Sequence, residues 1–111
     1  KVLVLNNYGD GMVMQWQRLF FKGRLSGSDK SLRKKNFVEA ALADGFEYAE
    51  RLNRKQDVPK VLKNFLSFDG PAFLEVVIGS EANVYPMVPP GGSLADTLED
   101  PLTQNSGQQQ G

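Results

Sequence analysis

Val2-Leu3-Val4-Leu5-Asn6-Asn7, joined by Tyr8-Gly9-Asp10 to Gly11-Met12-Val13-Met14-Gln15-Trp16, is the stretch whose reading decides the fold. Four consecutive apolar residues at Val2–Leu5 suit a strand buried on both faces of a parallel sheet. Asn6 to Gly11 is turn chemistry, and from Met12 to Phe21 the apolar residues recur at helical spacing. A strand that turns at once into a helix is the first half of a βαβ unit.

Working outward, a second apolar run, Ala72-Phe73-Leu74-Glu75-Val76-Val77-Ile78, follows the turn Asp69-Gly70-Pro71 and reads as another buried strand. Between the two runs lie three further elements. Asn36 is placed to N-cap a helix that runs through Asp44, with Phe37, Ala40, Ala41 and Leu42 inward and Gly45 as its stop. Phe46–Leu52 alternates as a short strand. Val58–Phe68 is amphipathic, with Val58, Val61, Leu62, Phe65 and Leu66 as its stripe, and Pro59 sits in the first turn, where a missing N–H costs little. The order β-α-loop-α-β-α-β predicts an α/β domain with a largely parallel sheet. Lys22–Lys35, polar and basic, is expected to be a mobile loop. Beyond Gly79 only a short helix near Leu94–Leu98 is suggested, and Thr103–Gly111, rich in Gln and Gly, is expected to be flexible.

A length of 111 residues allows one modest domain. The formal net charge of zero gives no overall field to attract nucleic acid or an anionic membrane. Lys22–Lys35 also lacks the interleaved aromatics of a nucleic-acid surface. With no cysteine and no histidine, disulfides, thiolate metal sites and imidazole bases are excluded. Any chemistry here must come from a cofactor or from a metal held by hard oxygen ligands. No apolar run approaches the roughly 20 residues that span a bilayer. A cytoplasmic location is therefore the default expectation, or a plastid if the source is a plant or alga. The chain lacks an initiator Met and begins directly in an apolar strand, which predicts a fragment that starts inside a domain.

In an open parallel sheet, ligands bind beyond the carboxyl ends of the strands. Asn6 and Asn7 stand at that end of the first strand. Asn carbonyl oxygens are hard, neutral ligands for Mg²⁺ or Ca²⁺. Gly9 and Gly11 allow close approach of the backbone, and the next helix aims its free N–H groups at the same spot. These features describe a seat for a metal-bound diphosphate. They equally describe an ordinary turn, and Met12 and Trp16, four apart on one helix face, equally describe core.

The strand-Asn-Asn element followed by Gly-Met-Val-x-Gln-Trp resembles the second half of the thiamine-diphosphate fingerprint in the acetolactate synthase family. The similarity continues through Leu19-Phe20-Phe21, Asn36-Phe37-Val38 and Gly70-Pro71-Ala72-Phe73-Leu74-Glu75-Val76. It ends in Val84-Tyr85-Pro86-Met87-Val88-Pro89-Pro90-Gly91-Gly92-Ser93-Leu94, so that it covers nearly all of the chain to Leu98. The resemblance implies an incomplete three-layer parallel-sheet α/β domain of the thiamine-diphosphate-binding fold. Residues 1–93 would be the C-terminal part of that domain and residues 94–111 a tail, flexible from about 103. It also implies that Asn7, through its side chain, and Gly9, through its carbonyl, are Mg²⁺ ligands. Asn7, Gly9, Gly11 and Met12 would then contact the cofactor, and Met12, Val13, Trp16 and Pro90 would line the substrate and herbicide pocket. Pro86–Leu94 would fold over the site as a lid.

For the whole protein the resemblance implies condensation of pyruvate with pyruvate or 2-ketobutyrate. It further implies FAD bound elsewhere, a homodimer or tetramer, and a regulatory small subunit. No catalytic residue is expected in this segment, which alone should be inactive. Gly9-Asp10-Gly11 spells the triplet that opens the family's fingerprint but lies in the wrong place, so Asp10 is expected to be exposed in the turn. Two alternatives stay open: another thiamine-diphosphate carboligase or decarboxylase, and a non-catalytic α/β interaction module.

Overall fold

The computed structural model describes residues 1–101, so the tail from about 103 lies outside the described residues. The chain forms two compact units, residues 1–81 and a second from Ala82 onward. The first contains β1 (Val2–Asn6), α1 (Gly11–Phe20), α2 (Phe37–Ala43), β2 (Tyr48–Leu52), α3 (Val58–Ser67) and β3 (Ala72–Val77), in the order expected. The three strands form one parallel sheet, ordered β1-β3-β2. Val2 pairs with Phe73 and Asn6 with Val77 on one side, and Tyr48 with Ala72 and Leu52 with Val76 on the other.

The last strand in sequence is thus the centre of the sheet. Ala72, Phe73, Leu74 and Glu75 are all buried, as a strand with neighbours on both sides requires. β1 was expected to be buried on both faces but lies at an edge, and Val2, Leu3 and Leu5 remain exposed. A strand paired on one side only lacks the second neighbour and the helix that would cover it.

The core lies on the sheet face that carries Ala72, Leu74 and Val76. There Val61 and Phe65 of α3 meet Leu52, Ala72 and Leu74, flanked by Tyr48, Val58, Leu62 and Phe68. Val58, Val61, Leu62 and Phe65 pack as the helical stripe predicts, but Leu66 is exposed. Each residue advances the helix by about 100°, so Leu66 stands at the rim of a stripe centred on Val61 and Phe65. On the opposite face Phe46 meets Phe73 edge-on, with ring centroids 5.6 Å apart, and Asn36 at the start of α2 meets Arg51 of β2. The result is two helical layers around one sheet.

Asn36 N-caps α2 as expected, accepting from the Glu39 N–H at 3.3 Å. Gly45 follows the helix with φ +94°, the left-handed region that glycine enters without cost. Leu42, expected inward, is exposed, because the seven-residue helix buries only Ala41 fully.

The second unit has its own backbone pairing. Met87 and Leu98 form an antiparallel bridge with reciprocal N–H···O bonds of 3.0 and 2.7 Å. A single 3₁₀ turn, Leu94–Asp96, stands where a short helix was expected, and the Ser93 and Asp96 side chains cap it reciprocally.

Candidate functional site

The candidate site is the turn from Asn6 to Gly11, at the carboxyl end of β1 and beside the end of the central strand. Its two asparagines differ in role. Asn6 is buried; its Nδ2 donates to Glu75 Oε1 at 2.6 Å, and its Oδ1 accepts from the Tyr8 N–H at 2.8 Å. Asn7 is half-buried, and its Oδ1 accepts from the Gly9 N–H at 3.2 Å. Two successive asparagine side chains therefore each close on the backbone two residues ahead. Between them Tyr8 is held at φ +56°, a conformation that a non-glycine residue rarely adopts without such support.

Gly9 and Gly11 are glycines for contact reasons. A β-carbon on Gly9 would stand 2.3 Å from Met14 Sδ and 3.1 Å from the Ser28 carbonyl. One on Gly11 would stand 3.1 Å from Asn7 Nδ2. The turn and the first turn of α1 are consequently in close contact, with Asn7 against the helix N-terminus. Asp10, the N-cap residue, makes no side-chain capping bond. It is exposed, as expected, and its carboxylate pairs with Lys30 Nζ at 3.4 Å. The first N–H groups of α1 are thus left uncapped by that side chain and directed at the space beside Asn7.

The segment expected to be a mobile loop folds back on this turn. Asp10 N–H donates to the Ser28 carbonyl at 2.9 Å and Lys30 N–H to the Tyr8 carbonyl at 2.8 Å, forming an antiparallel bridge between Gly9 and Asp29. Ser28 is buried, and its hydroxyl donates to Gln17 of α1. The fold-back brings Lys30, Arg33 and Lys35 to a cleft of about 350 Å³ lined also by Asn6, Asn7 and Gly9. Lys34 stacks over the Tyr8 ring, 4.8 Å from its centroid. A second cleft of about 290 Å³, on Asn7, Tyr8, Met14, Arg18 and Asp29, adjoins the same turn. The Asp29 carboxyl is held below the usual carboxylate range by the Ser31 hydroxyl and backbone N–H, so it stays ionised there.

α1 turns Met14 and Gln15 inward and Met12, Val13 and Trp16 outward. Met12 is 74% exposed and Trp16 37%, so neither is core. Trp16 instead meets Phe20 edge-on at 4.8 Å, and Val13, Trp16, Gln17 and Phe21 line a further cleft of about 570 Å³. Pro90 is exposed in the second unit, beside the turn closed by Gly92 N–H to the Pro89 carbonyl.

Two features of the site were not read from the sequence. One is Glu75, fully buried in the central strand and bonded to Asn6 and Arg51. The other is the group of cations at the clefts, whose only sequence signal was the charge run Lys30–Lys35.

The donor chemistry suits a magnesium-bound diphosphate in part. Asn7 and Gly9 offer neutral oxygens, the helix N-terminus offers N–H groups, and the cations offset phosphate charge. Among the described residues no three His, Cys, Asp or Glu side chains are grouped to hold a metal. Among them, too, no helix is long and apolar enough to cross a membrane.

Comparison with known proteins identifies the family. Residues 1–76 match the family described as thiamine pyrophosphate enzyme, C-terminal TPP binding domain. The mitochondrial acetolactate synthase of Schizosaccharomyces pombe is 43% identical over 94 residues, which is 85% of this chain and 14% of that protein. The acetolactate synthase isozyme 2 large subunit of Escherichia coli is 39% identical over 99 residues, 89% of this chain and 18% of that protein. The chloroplastic acetolactate synthase 2 of Zea mays is 35% identical over 107 residues, 90% of this chain and 16% of that protein. The chain thus spans less than a fifth of these relatives. With the parallel sheet, the Asn6–Gly11 turn and a family match across both, the chain belongs to the C-terminal TPP-binding domains of thiamine pyrophosphate enzymes.

Proposed function

We propose that this chain is the C-terminal part of an acetolactate synthase large subunit. That enzyme condenses pyruvate with pyruvate or 2-ketobutyrate, releasing CO₂, and forms 2-acetolactate or 2-aceto-2-hydroxybutyrate for branched-chain amino acid biosynthesis. One observation carries the reading: the Asn7–Gly9 turn abuts the uncapped N-terminus of α1 beside a cleft lined by Lys30, Arg33 and Lys35. That arrangement suits a metal-bound diphosphate, in a chain whose relatives are named acetolactate synthases.

On this reading the Asn7 side-chain oxygen and the Gly9 carbonyl hold Mg²⁺, while Gly11 and Met12 lie against the cofactor. Lys30, Arg33 and Lys35 offset the diphosphate charge. Met12, Val13 and Trp16 bound the pocket for the second ketoacid. Thiamine diphosphate, when bound, supplies the bond-breaking and bond-making chemistry at carbon. The residues of this chain bind, orient and select. Residues 1–93 complete the cofactor domain and residues 94–111 are its tail. FAD belongs to another part of the full-length subunit, which works as a homodimer or tetramer with a regulatory small subunit, in the cytoplasm or a plastid.

The test is a product assay on the full-length protein with thiamine diphosphate and Mg²⁺. Pyruvate alone should give 2-acetolactate, and added 2-ketobutyrate should give 2-aceto-2-hydroxybutyrate; acetaldehyde as the sole product would overturn the proposal. Asn7→Ala should lose activation by Mg²⁺. Trp16→Ala should reduce the preference for 2-ketobutyrate over pyruvate by roughly tenfold, the scale of one methylene in an apolar pocket.

A further inference from the structure

Among the described residues, Glu75 is the one carboxylate of the largest fully buried side chains, and the role proposed above does not use it. A carboxylate withdrawn from water inside a sheet is costly unless each of its oxygens finds a donor. Here both oxygens do. Oε1 accepts from Asn6 Nδ2 at 2.6 Å and Oε2 from Arg51 Nε at 2.6 Å, short distances that mark charge-assisted bonds. Arg51 reaches on to Asn36 Oδ1 at 3.1 Å, the atom that also caps α2. A line of polar contacts thus crosses the sheet from the start of α2, through β2 and β3, to the end of β1.

The consequence lies at Asn6. A carboxylate can only accept, so the Asn6 amide must present its NH₂ to Glu75. Its oxygen is then forced to the other side, where it accepts from the Tyr8 N–H at 2.8 Å. That bond supports the positive φ of Tyr8, and the left-handed residue sends the chain back so that Gly9 N–H meets Asn7 Oδ1. We infer that Glu75 is a positioning residue for the metal-binding turn, orienting the Asn6 amide and through it Asn7 and the Gly9 carbonyl. The inference rests on the reading of Asn7 and Gly9 as metal ligands and adds a residue that touches neither metal nor cofactor.

Glu75→Gln separates orientation from packing, because it keeps the shape but can accept through only one terminal atom. If its oxygen faces Arg51, its NH₂ opposes the Asn6 NH₂, and Asn6 must flip away from the Tyr8 N–H. If its oxygen faces Asn6, its NH₂ opposes Arg51 Nε. Adding Arg51→Gln removes the conflict. The glutamine side-chain carbonyl stands at the same distance from the backbone as arginine Nε, and it accepts from the amide introduced at position 75.

The test uses the full-length protein with thiamine diphosphate and titrates Mn²⁺, read by electron paramagnetic resonance as free and bound metal. E75Q should weaken Mn²⁺ binding by about 10–100-fold, the usual effect of removing a group that orients a metal ligand. In turnover, the loss should appear in the metal concentration required rather than in kcat at saturation. R51Q alone should leave Mn²⁺ binding within about threefold of the parent, and E75Q/R51Q should return to that range, well inside the effect on orientation. Parent-like binding in E75Q, or no recovery in the double variant, overturns the inference. Should E75Q fail to fold, Asn6→Ala replaces it, removing the acceptor for Tyr8; parent-like Mn²⁺ binding in that variant overturns the inference equally. Asn7→Ala distinguishes the two levels. Lost binding there with parent-like binding in E75Q removes only the role of Glu75, whereas parent-like binding in Asn7→Ala removes the cofactor-site reading beneath it.

Discussion

α1 and α3 are helices of equal length, each 10 residues, and each carries an apolar stripe, yet only one of them buries it. α3 lays Val61 and Phe65 on Leu52, Ala72 and Leu74. α1 sends Met14 inward and leaves Met12, Val13, Trp16, Leu19 and Phe20 exposed. The strands beneath show the same contrast: central β3 is enclosed, while Val2, Leu3 and Leu5 of β1 face outward. The β2–α3–β3 side carries the buried apolar cluster, and the β1–α1 side is organised around the Asn6–Gly11 turn. An apolar stripe therefore states that a helix has something to cover, without stating whether this chain provides it.

Truncating the two stripes gives the largest expected difference. Phe65→Ala should cost about 3–5 kcal/mol, the range for removing a buried aromatic ring. Trp16→Ala should cost less, about 0.5–1.5 kcal/mol, because the ring is 37% exposed and meets Phe20 edge-on. Equilibrium urea unfolding of both variants measures the gap; equal losses would mean that α1 is as much core as α3.

Gly9→Ala probes the β1–α1 side where it is tightly packed. The new β-carbon would fall 2.3 Å from the buried Met14 Sδ, so Met14 must move and the turn with it. The expected cost is about 1–3 kcal/mol, as for overpacking elsewhere. Unfolding data matching the parent would show that this turn adapts freely. A smaller effect is expected from Asn36→Ala, which removes the N-cap of α2 and an acceptor for Arg51. Loss of the cap costs about 1 kcal/mol, and a change in urea midpoint close to zero would show that Arg51 and the backbone re-pair without it.

The legibility of this architecture in sequence followed the same division. The element order was readable because each element's apolar period is local: two apolar runs, a capped helix at Asn36, a stripe at Val58–Phe65. The position of the Asn pair was readable because a strand end is a local event. Exposure was not. Leu5, Leu42 and Leu66 are apolar residues at apolar positions, and their exposure depends on which neighbours lie opposite. Glu75 was hidden for the converse reason, since a single charge within an apolar run gives no sign of Arg51, 24 residues away, or Asn6, 69 away. The cations Lys30, Arg33 and Lys35 were visible as a charge run, but the backbone bridge that brings them to the Asn7–Gly9 turn leaves no mark in composition.

The finest expected effect concerns how dry the core side is. Tyr48 begins β2 and packs its ring against Phe68, with centroids 5.3 Å apart, while its hydroxyl donates to the Glu50 carboxylate. Burial, and then the bond to Glu50, hold its phenol in the neutral form and push its pKa from 10.0 up to about 12. The raised value means that the folded protein keeps the proton after the unfolded chain has lost it. The contribution to stability is therefore fully present below pH 10 and is lost as pH rises from 10 toward 12. Tyr48→Phe should leave stability at neutral pH little changed and flatten its decline over that interval, in urea unfolding followed at closely spaced pH. An unaltered decline would mean that this edge of the core is as open to water as the outward face of α1, and the contrast between the two sides would narrow to the interior alone.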